Sequence, residues 1–248
     1  MSMTHGLNKG GRFSKVSKRF VDLTHPIGRG MPVWPGDPEP EIREPMTAGI
    51  DPCTVQTIRF SNHLGTHLDA PSHFVPGGRT VDEIPLEILI GPAAVLDFTH
   101  KKKCERIRTE DFRAWDGRLS TGARVLLKTG WDQHFRPGVF HDGYPCLDLE
   151  AAEFLASREI ALLGMDTPSP SPIDDPGQNI HKVLLGAGII LLEAVTNLGR
   201  IQADIFELIV LSPPFTGFSG APCRAVAVVE GDCEQEGTDI GTEKNPQI

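Results

Sequence analysis

Residues 63–73 read HLGTHLDAPSH and hold three histidines and one aspartate within eleven positions. Imidazole and carboxylate groups together are the ligand set that proteins use for zinc, manganese and ferrous iron. A cluster this dense favours a metal site over a polar loop whose histidines hydrogen-bond only to the backbone.

The spacing of the first two histidines argues against a helix. His63 and His67 are four residues apart, as in a helical zinc motif, but Leu64 stands where that motif has its glutamate. Gly65 and Pro71 are also unfavourable inside a helix. The stretch is therefore predicted to be non-helical.

An extended backbone would place His67 and Asp69 on one face, because side chains alternate with a period of two. His63 would then lie about 13 Å from His67, at about 3.3 Å per residue, which is too far to share an ion. A bend is needed between the two histidines, and Gly65 can provide it without a Cβ penalty. The prediction is a strand that ends in a metal-binding loop.

The same residues resemble a known family. The pattern HxGTHxDAPxH at 63–73 is similar to the signature of the metal-dependent cyclase/hydrolase family, which includes bacterial kynurenine formamidase and isatin hydrolase. Further similar segments lie at residues 22–27, 31–37, 85–87, 91–93, 126–131, 163–169 and 220–224. The resemblance implies the swivelling β/β/α fold, an α/β protein with a mixed, barrel-like β-sheet core and flanking helices.

Composition limits the class of protein and its partners. With 39% hydrophobic residues, a chain of 248 residues can build a substantial core. A net charge of −9 argues against a nucleic-acid partner, and no run approaches the roughly 20 apolar residues of a membrane span. The five cysteines are odd in number and form no Cys-x-x-Cys pair, which suits a reducing cytoplasm.

The two ends differ in charge from the middle of the chain. Residues 1–19 are basic and rich in glycine and serine, so a flexible arm is predicted there. Residues 231–248 are acidic, and a solvated tail is predicted. No repeat or linker interrupts residues 20–230, which are predicted to form a single metal-hydrolase domain.

Short apolar runs within this domain predict the strands of a mixed sheet. They lie at residues 53–60, 93–98, 124–127, 160–163, 189–195, 206–211 and 225–229. Short helices are expected after Thr109, after Asp148 and over residues 178–185, whereas the proline- and glycine-rich segment 29–45 predicts a loop. Strands outnumber helices, so the fold class is α/β with an excess of β-structure.

One carboxylate, Glu193, stands inside the apolar run 189–195. An unpaired buried carboxylate is costly, so Glu193 needs a cation, a hydrogen-bonding partner or a proton. His181 precedes it on a predicted helix, and a structural ion pair explains the two residues nearly as well as metal binding does. The resemblance implies two metals, one held by His63, His67 and Asp69 and the other by Asp69, His181 and Glu193. It leaves His73 beside the metals as the acid/base.

Aromatic residues are the candidates for a substrate pocket. Trp34 and Phe74 are predicted to contact the substrate, and Trp131 is a weaker candidate. Only Trp34 lies in a loop that the family resemblance supports. Surface or structural roles are predicted for the remaining histidines outside the arm, which are His25, His100, His134 and His141.

The expected activity follows from this ligand set. Two divalent ions would lower the pKa of a bound water towards about 7 and polarise a carbonyl, while His73 protonates the leaving amine. Zinc is the expected metal, and manganese is the alternative. The family resemblance implies an arylformamidase-like amidohydrolase that converts N-formyl-L-kynurenine to L-kynurenine and formate. A cytoplasmic homodimer or homotetramer that acts on a small aromatic amide is expected.

Three alternatives remain. The first is an isatin hydrolase, or a hydrolase of another cyclic amide or lactone. The second is a non-haem ferrous oxygenase that uses His67, Asp69 and His181 as a facial triad, with Arg200 holding an oxoacid. It leaves His63 and His73 unused. The third is a metal-stabilised binding protein without catalysis.

Overall fold

The structure is a computed structural model, and it describes residues 17–175 and 177–231. In these residues the strands are β1 (Ser17–Asp22), β2 (Glu41–Met46), β3 (Val55–Arg59), β4 (His67–Asp69), β5 (Ile90–Asp97), β6 (Arg106–Ile107), β7 (Arg124–Lys128), β8 (Cys146–Leu147), β9 (Leu162–Met165), β10 (Ile190–Glu193), β11 (Phe206–Leu211), β12 (Gly220–Pro222) and β13 (Arg224–Gly231). The α-helices are α1 (Leu86–Leu89), α2 (Leu149–Ser157) and α3 (Asn179–Gly186). Short 3₁₀ helices cover Pro71–His73, Val81–Glu83, Thr109–Arg118, Trp131–His134 and Leu198–Arg200.

Nine strands form one mixed sheet in the order β1-β13-β11-β5-β7-β9-β10-β4-β12. Strands β5, β7, β9 and β10 are parallel, and the other pairs are antiparallel. In a flat sheet, β12 and β13 would lie about 34 Å apart, at about 4.8 Å per strand. Only Cys223 separates them along the chain, so the sheet must curl until its two ends approach each other.

The curled sheet separates two hydrophobic cores. Successive residues of a strand face opposite sides, so Leu162 packs inside the curl and Leu163 packs against the helices. Leu192 likewise packs inside the curl, and Leu191 packs against the helices. Because both faces of these strands are buried, they appear in the sequence as continuous apolar runs.

Most predicted elements are confirmed. The six apolar runs from residue 93 onward correspond to β5, β7, β9, β10, β11 and β13, with ends displaced by a few residues. Asp148 caps α2, accepting a hydrogen bond from the Ala151 amide at 2.9 Å. The α/β fold class with a curled mixed sheet is also confirmed.

Two local predictions were wrong. The segment 29–45 is not a loop throughout, because β2 begins at Glu41 and pairs with β3 in a separate two-stranded ribbon. The short helix expected after Thr109 is present as a 3₁₀ helix, but its cap is Arg108 and not Thr109. Asp111 fixes this start by accepting a hydrogen bond from the Arg108 amide at 2.7 Å.

The predicted boundary of the basic arm falls inside β1. Residues 17–19 pair with residues 229–231 of β13, so they belong to the sheet and not to the arm. Residues 1–16 and 232–248, which hold most of the predicted arm and tail, lie outside the described residues. The single domain over residues 20–230 stays a prediction.

Candidate metal centre

Two antiparallel strands bring three of the predicted ligands onto one face. His67 lies directly opposite Glu193 in the β4–β10 register. Asp69 follows His67 by two residues, so both point to the same side of β4, while Leu68 points into the core. His67 Nε2 lies 3.2 Å from Asp69 Oδ1 and 3.5 Å from Glu193 Oε2.

His63 joins this group through a turn, as predicted. Gly65 has a φ of +60°, a conformation that glycine adopts without strain, and it turns the chain between His63 and β4. His63 Nδ1 lies 2.7 Å from Asp69 Oδ1. A Cβ atom on Gly220 would come within 2.5 Å of His63 Cε1, so the glycine makes room for the imidazole.

His181 reaches the cluster from the first turn of α3. Its Nε2 lies 3.3 Å from Glu193 Oε1, and its Nδ1 is hydrogen-bonded to Ser171 Oγ at 2.8 Å. His67 is oriented in a similar way, with Nδ1 2.9 Å from the Gly65 carbonyl oxygen. A carbonyl oxygen can only accept, so Nδ1 of His67 carries a proton and donates it.

This tautomer provides a test of whether a metal fits. With Nδ1 of His67 donating to this carbonyl oxygen, Nε2 is the ring nitrogen that faces the carboxylates of Asp69 and Glu193. Acceptor atoms this close repel each other unless a proton or a metal ion lies between them. The donor set of imidazoles and carboxylates suits a divalent ion.

The two buried carboxylates of the cluster also need a nearby positive charge. Burial raises the pKa of Asp69, but the charges and hydrogen bonds of His63 and His67 outweigh it, so this pKa lies well below its usual range. Burial raises the pKa of Glu193 well above its usual range, and the charge of Asp69 adds to the effect. Ionising both buried carboxylates therefore requires positive charge nearby.

Two groups of ligand atoms meet this need. His63, His67 and Asp69 form one group, and Asp69, His181 and Glu193 form the other. Within each group the ligand atoms lie within 4.8 Å of one another. The structure thus brings all five predicted ligands together, with Asp69 shared between the groups.

His73 lies beside the cluster and outside both groups. It ends the 3₁₀ helix Pro71–His73, and its ring stacks on His63 with the ring centroids 3.9 Å apart. Burial lowers the pKa of His73 to about 4, although the charge of Asp69 opposes this shift. The imidazole is therefore neutral near pH 7.

The cluster lines a cavity of about 380 Å³, within the usual range for small-molecule sites. The cavity lies beyond the carboxyl ends of parallel strands, since its walls include residues that follow β7, β9 and β10. Its aromatic side chains are Trp34, Phe74, Phe135, Phe140 and His141. The structure places the predicted Trp34 and Phe74 in the wall, and their contact with substrate stays a prediction.

Three aromatic wall residues were not predicted, because they lie in the irregular segment after β7, which has no periodic pattern. Phe135, Phe140 and His141 come from this segment, and His141, for which a surface or structural role was predicted, lines the cavity. Trp131 is buried outside the wall, where its indole N–H donates to the Phe140 carbonyl oxygen at 2.7 Å. His25 has a structural role, stacking on Phe135 with centroids 3.7 Å apart.

Residues 21–172 match the family model Cyclase, described as "Putative cyclase". The chain belongs to the Cyclase family. The kynurenine formamidase of Bacillus mycoides is 31% identical over 214 residues, which is 85% of this chain and 97% of that protein. The kynurenine formamidase of Bacillus anthracis is likewise 31% identical, covering 86% of this chain and 98% of the relative.

Solved structures of metal-dependent hydrolases are also similar to this chain. Isatin hydrolase A from Labrenzia aggregata superposes with a TM-score of 0.77 at 29% identity, covering 86% of this chain and 94% of its own. A structure described as a potential metal-dependent hydrolase with cyclase activity gives a TM-score of 0.74 at 29% identity, and the match covers 87% of this chain and 100% of that chain. These relationships confirm the predicted family, the fold and an arylformamidase-like hydrolase that uses a divalent metal.

The structure also bears on two other predictions. Among residues 17–175 and 177–231, no helix combines the length and apolar character that crossing a membrane requires. For the oxygenase alternative, Arg200 is exposed and does not line the cavity, so it is not placed to hold an oxoacid there.

Proposed function

We propose that this Cyclase family protein hydrolyses aryl formamides, with N-formyl-L-kynurenine as substrate and L-kynurenine and formate as products. The observation that carries the proposal is a buried five-ligand cluster, centred on Asp69, at the base of a cavity with aromatic walls. The cluster supplies hydrolytic chemistry, and the walls suit a flat aryl ring. The kynurenine formamidase relatives support the same substrate class.

The ligands are proposed to hold two divalent ions, zinc or manganese. His63, His67 and Asp69 would bind one ion, and Asp69, His181 and Glu193 the other. When bound, such ions lower the pKa of a water molecule towards about 7 and polarise the substrate carbonyl.

The chain's own residues would then position the substrate and move the proton. Trp34 and Phe74 hold the aryl ring so that the formyl carbon faces the cluster. Neutral His73 accepts the proton released as the water oxygen bonds to that carbon. It then donates the proton to the nitrogen as the C–N bond breaks, giving an arylamine and formate.

A cyclic-amide hydrolase is the second candidate, favoured by the likeness to isatin hydrolase A. Ring opening of a cyclic amide gives one product and releases no formate. A panel of N-formyl arylamines and isatins, assayed for arylamine, formate and ring-opened acid, separates the two candidates.

The deciding experiment uses protein loaded with zinc or manganese under anaerobic conditions. We expect arylamine and formate in equal amounts, and loss of turnover in Asp69→Asn. Asp204→Asn makes the same change at an exposed position remote from the cavity and should behave as wild type. Activity that requires ferrous iron, dioxygen and an oxoacid would contradict the proposal, and so would tight metal binding without turnover on any amide.

The protein is also proposed to be a cytoplasmic homodimer or homotetramer. The ribbon of β2 and β3 supports self-association, because every residue of β3 is exposed, including Val55 and Ile58. An isolated two-stranded ribbon is marginally stable in water without a packing partner. Sedimentation of wild type and an Ile58→Lys variant tests this, with a shift towards monomer expected in the variant.

A further inference from the structure

Asp37 is a cavity residue that the proposed mechanism does not use. It closes a turn in which its amide donates to the Trp34 carbonyl oxygen at 2.9 Å, and its carboxylate lines the cavity. Ser61 Oγ donates to Asp37 Oδ2 at 2.9 Å and fixes the orientation of the carboxylate. Asp37 belongs to neither metal-ligand group.

The arginines that flank Asp37 and Ser61 in the sequence have other partners within the described chain. Arg29 donates to the Ile42 carbonyl oxygen, and Arg43 and Arg59 both face Glu41. Asp37 has Ser61 as its side-chain partner in this part of the protein, so Oδ1 is available to a ligand. An oriented, half-buried carboxylate with one open oxygen is suited to bind a cationic donor.

The charges of the cavity point to the same ligand. Its carboxylates are Asp37, Asp69 and Glu193, and the last two are proposed metal ligands. Among residues 17–175 and 177–231, no lysine or arginine lines the cavity. A substrate carboxylate would therefore meet no lysine or arginine in the walls, whereas an ammonium group would meet Asp37.

We infer that Asp37 binds the protonated amine of the substrate's side chain, and that the site prefers aryl formamides with a cationic side chain over those with an anionic one. The inference rests on the proposed function and narrows its substrate class. The ammonium group of N-formyl-L-kynurenine would be recognised, whereas its carboxylate would be repelled by the negative charge of Asp37 and would weaken binding. A related formamide whose side chain ends in an amine without a carboxylate would be the better substrate.

The test uses four N-formyl anilines with the same ortho-acyl chain, ending in an amine, an amino acid, a methyl group or a carboxylate. The value of kcat/KM for each is divided by that of the neutral methyl compound, so a general loss of activity cancels. Wild type should rank them amine, amino acid, then carboxylate. In Asp37→Asn, the ratio of amine to carboxylate substrate should fall about 10- to 100-fold, mainly through KM.

Two further variants keep the result interpretable. Asp37→Glu keeps the charge and should retain the preference. Glu39→Gln removes one negative charge at an exposed position two residues away, outside the cavity, and should leave the ratio unchanged. A preference for the carboxylate substrate in wild type, or equal losses on all four compounds in Asp37→Asn, would overturn the inference.

An error in the proposed function would give a different result from an error in this inference. If wild type releases formate from none of the four compounds, the arylformamidase proposal fails. Calorimetry on metal-loaded protein then decides the inference. It compares two anilines that lack the formyl group, one with a side chain ending in an amine and one with a side chain ending in a carboxylate. Tighter binding of the amine, lost in Asp37→Asn, supports it, and any other result overturns it.

Discussion

Glu193 and His67 face each other across the antiparallel pair β10–β4, with Glu193 Oε2 3.5 Å from His67 Nε2. The register of two strands thus aligns ligands that are more than a hundred residues apart in sequence. Since Glu193 also contacts His181, at 3.3 Å, it links the helix to the strand ligands.

Glu193→Gln should reduce the number of bound ions from two to one. The amide keeps the shape of the side chain but removes the charge that the second ion needs, and we expect a loss of at least about 100-fold in kcat. Mass spectrometry of metal content, together with formate release, measures both effects. Glu207→Gln, at an exposed position on β11, is the matched control. Two ions retained in Glu193→Gln would contradict the assignment.

His73→Asn should keep both ions and lose about 10²- to 10⁴-fold in kcat, because it removes the proton transfer to the leaving nitrogen. The loss should shrink for an activated phenyl ester, whose leaving group needs no protonation. If His73 were a ligand instead, the metal content would fall and the deficit would be similar for every substrate. Measuring metal content and leaving-group dependence on one preparation distinguishes the two roles.

Gly220→Ala should weaken metal binding. The added Cβ would lie 2.5 Å from His63 Cε1 and 2.7 Å from the Leu68 carbonyl oxygen, so the imidazole must move away from Asp69. We expect at least about a tenfold rise in the metal dissociation constant, measured by competition with a chelator. Gly117→Ala, with nothing within 4 Å of the added atom, should bind metal as wild type does.

Asp166 should make the stability of the metal-free protein depend on pH. Burial raises the pKa of this carboxyl group to about 6, although hydrogen bonds from Thr129 and Gly130 oppose the shift. The unfolded value is 3.8, so the folded state holds the proton more tightly, and the stabilisation present below pH 4 is lost as pH rises through 6.

Comparing wild type with Asp166→Asn by urea unfolding at pH 4 and pH 7 isolates this group. Relative to the variant, wild type should lose up to about 3 kcal/mol on going from pH 4 to pH 7, at 1.36 kcal/mol per pKa unit. Other titrating groups largely cancel in the difference. A difference that does not change with pH would mean that the hydrogen bonds to Asp166 already keep it ionised at pH 4.

The sequence carried enough information to predict the ligand-bearing part of the site. Alternation on a strand put His67 and Asp69 on one face, and Gly65 was the residue able to turn the chain back to His63. Glu193 was recognisable because a carboxylate in an apolar strand requires a partner. The resemblance to a family supplied the pairing with His181.

The cavity walls could not be predicted in the same way. Phe135 and His141 come from an irregular segment, and Asp37 and Ser61 meet through a contact between turns that no periodic pattern records. The ribbon of β2 and β3 was partly missed, since its exposed residues lack the alternation that burial of one face imposes. Strand β1, at the edge of the sheet, was assigned in part to the basic arm, because its basic residues Lys18 and Arg19 are exposed to solvent as those of a flexible arm would be.

The short link at Cys223 has a consequence for the timing of metal uptake during synthesis. Gly220, beside His63, belongs to β12, which pairs with β4, and β13 then returns the chain to the far end of the sheet. A ribosome makes all five proposed ligands before this closing segment, so the backbone against which the His63 imidazole packs is missing until β12 has been made. Nascent chains that have not yet reached β12 would therefore hold His63 less firmly, and we expect them to bind metal more weakly than chains that include this strand.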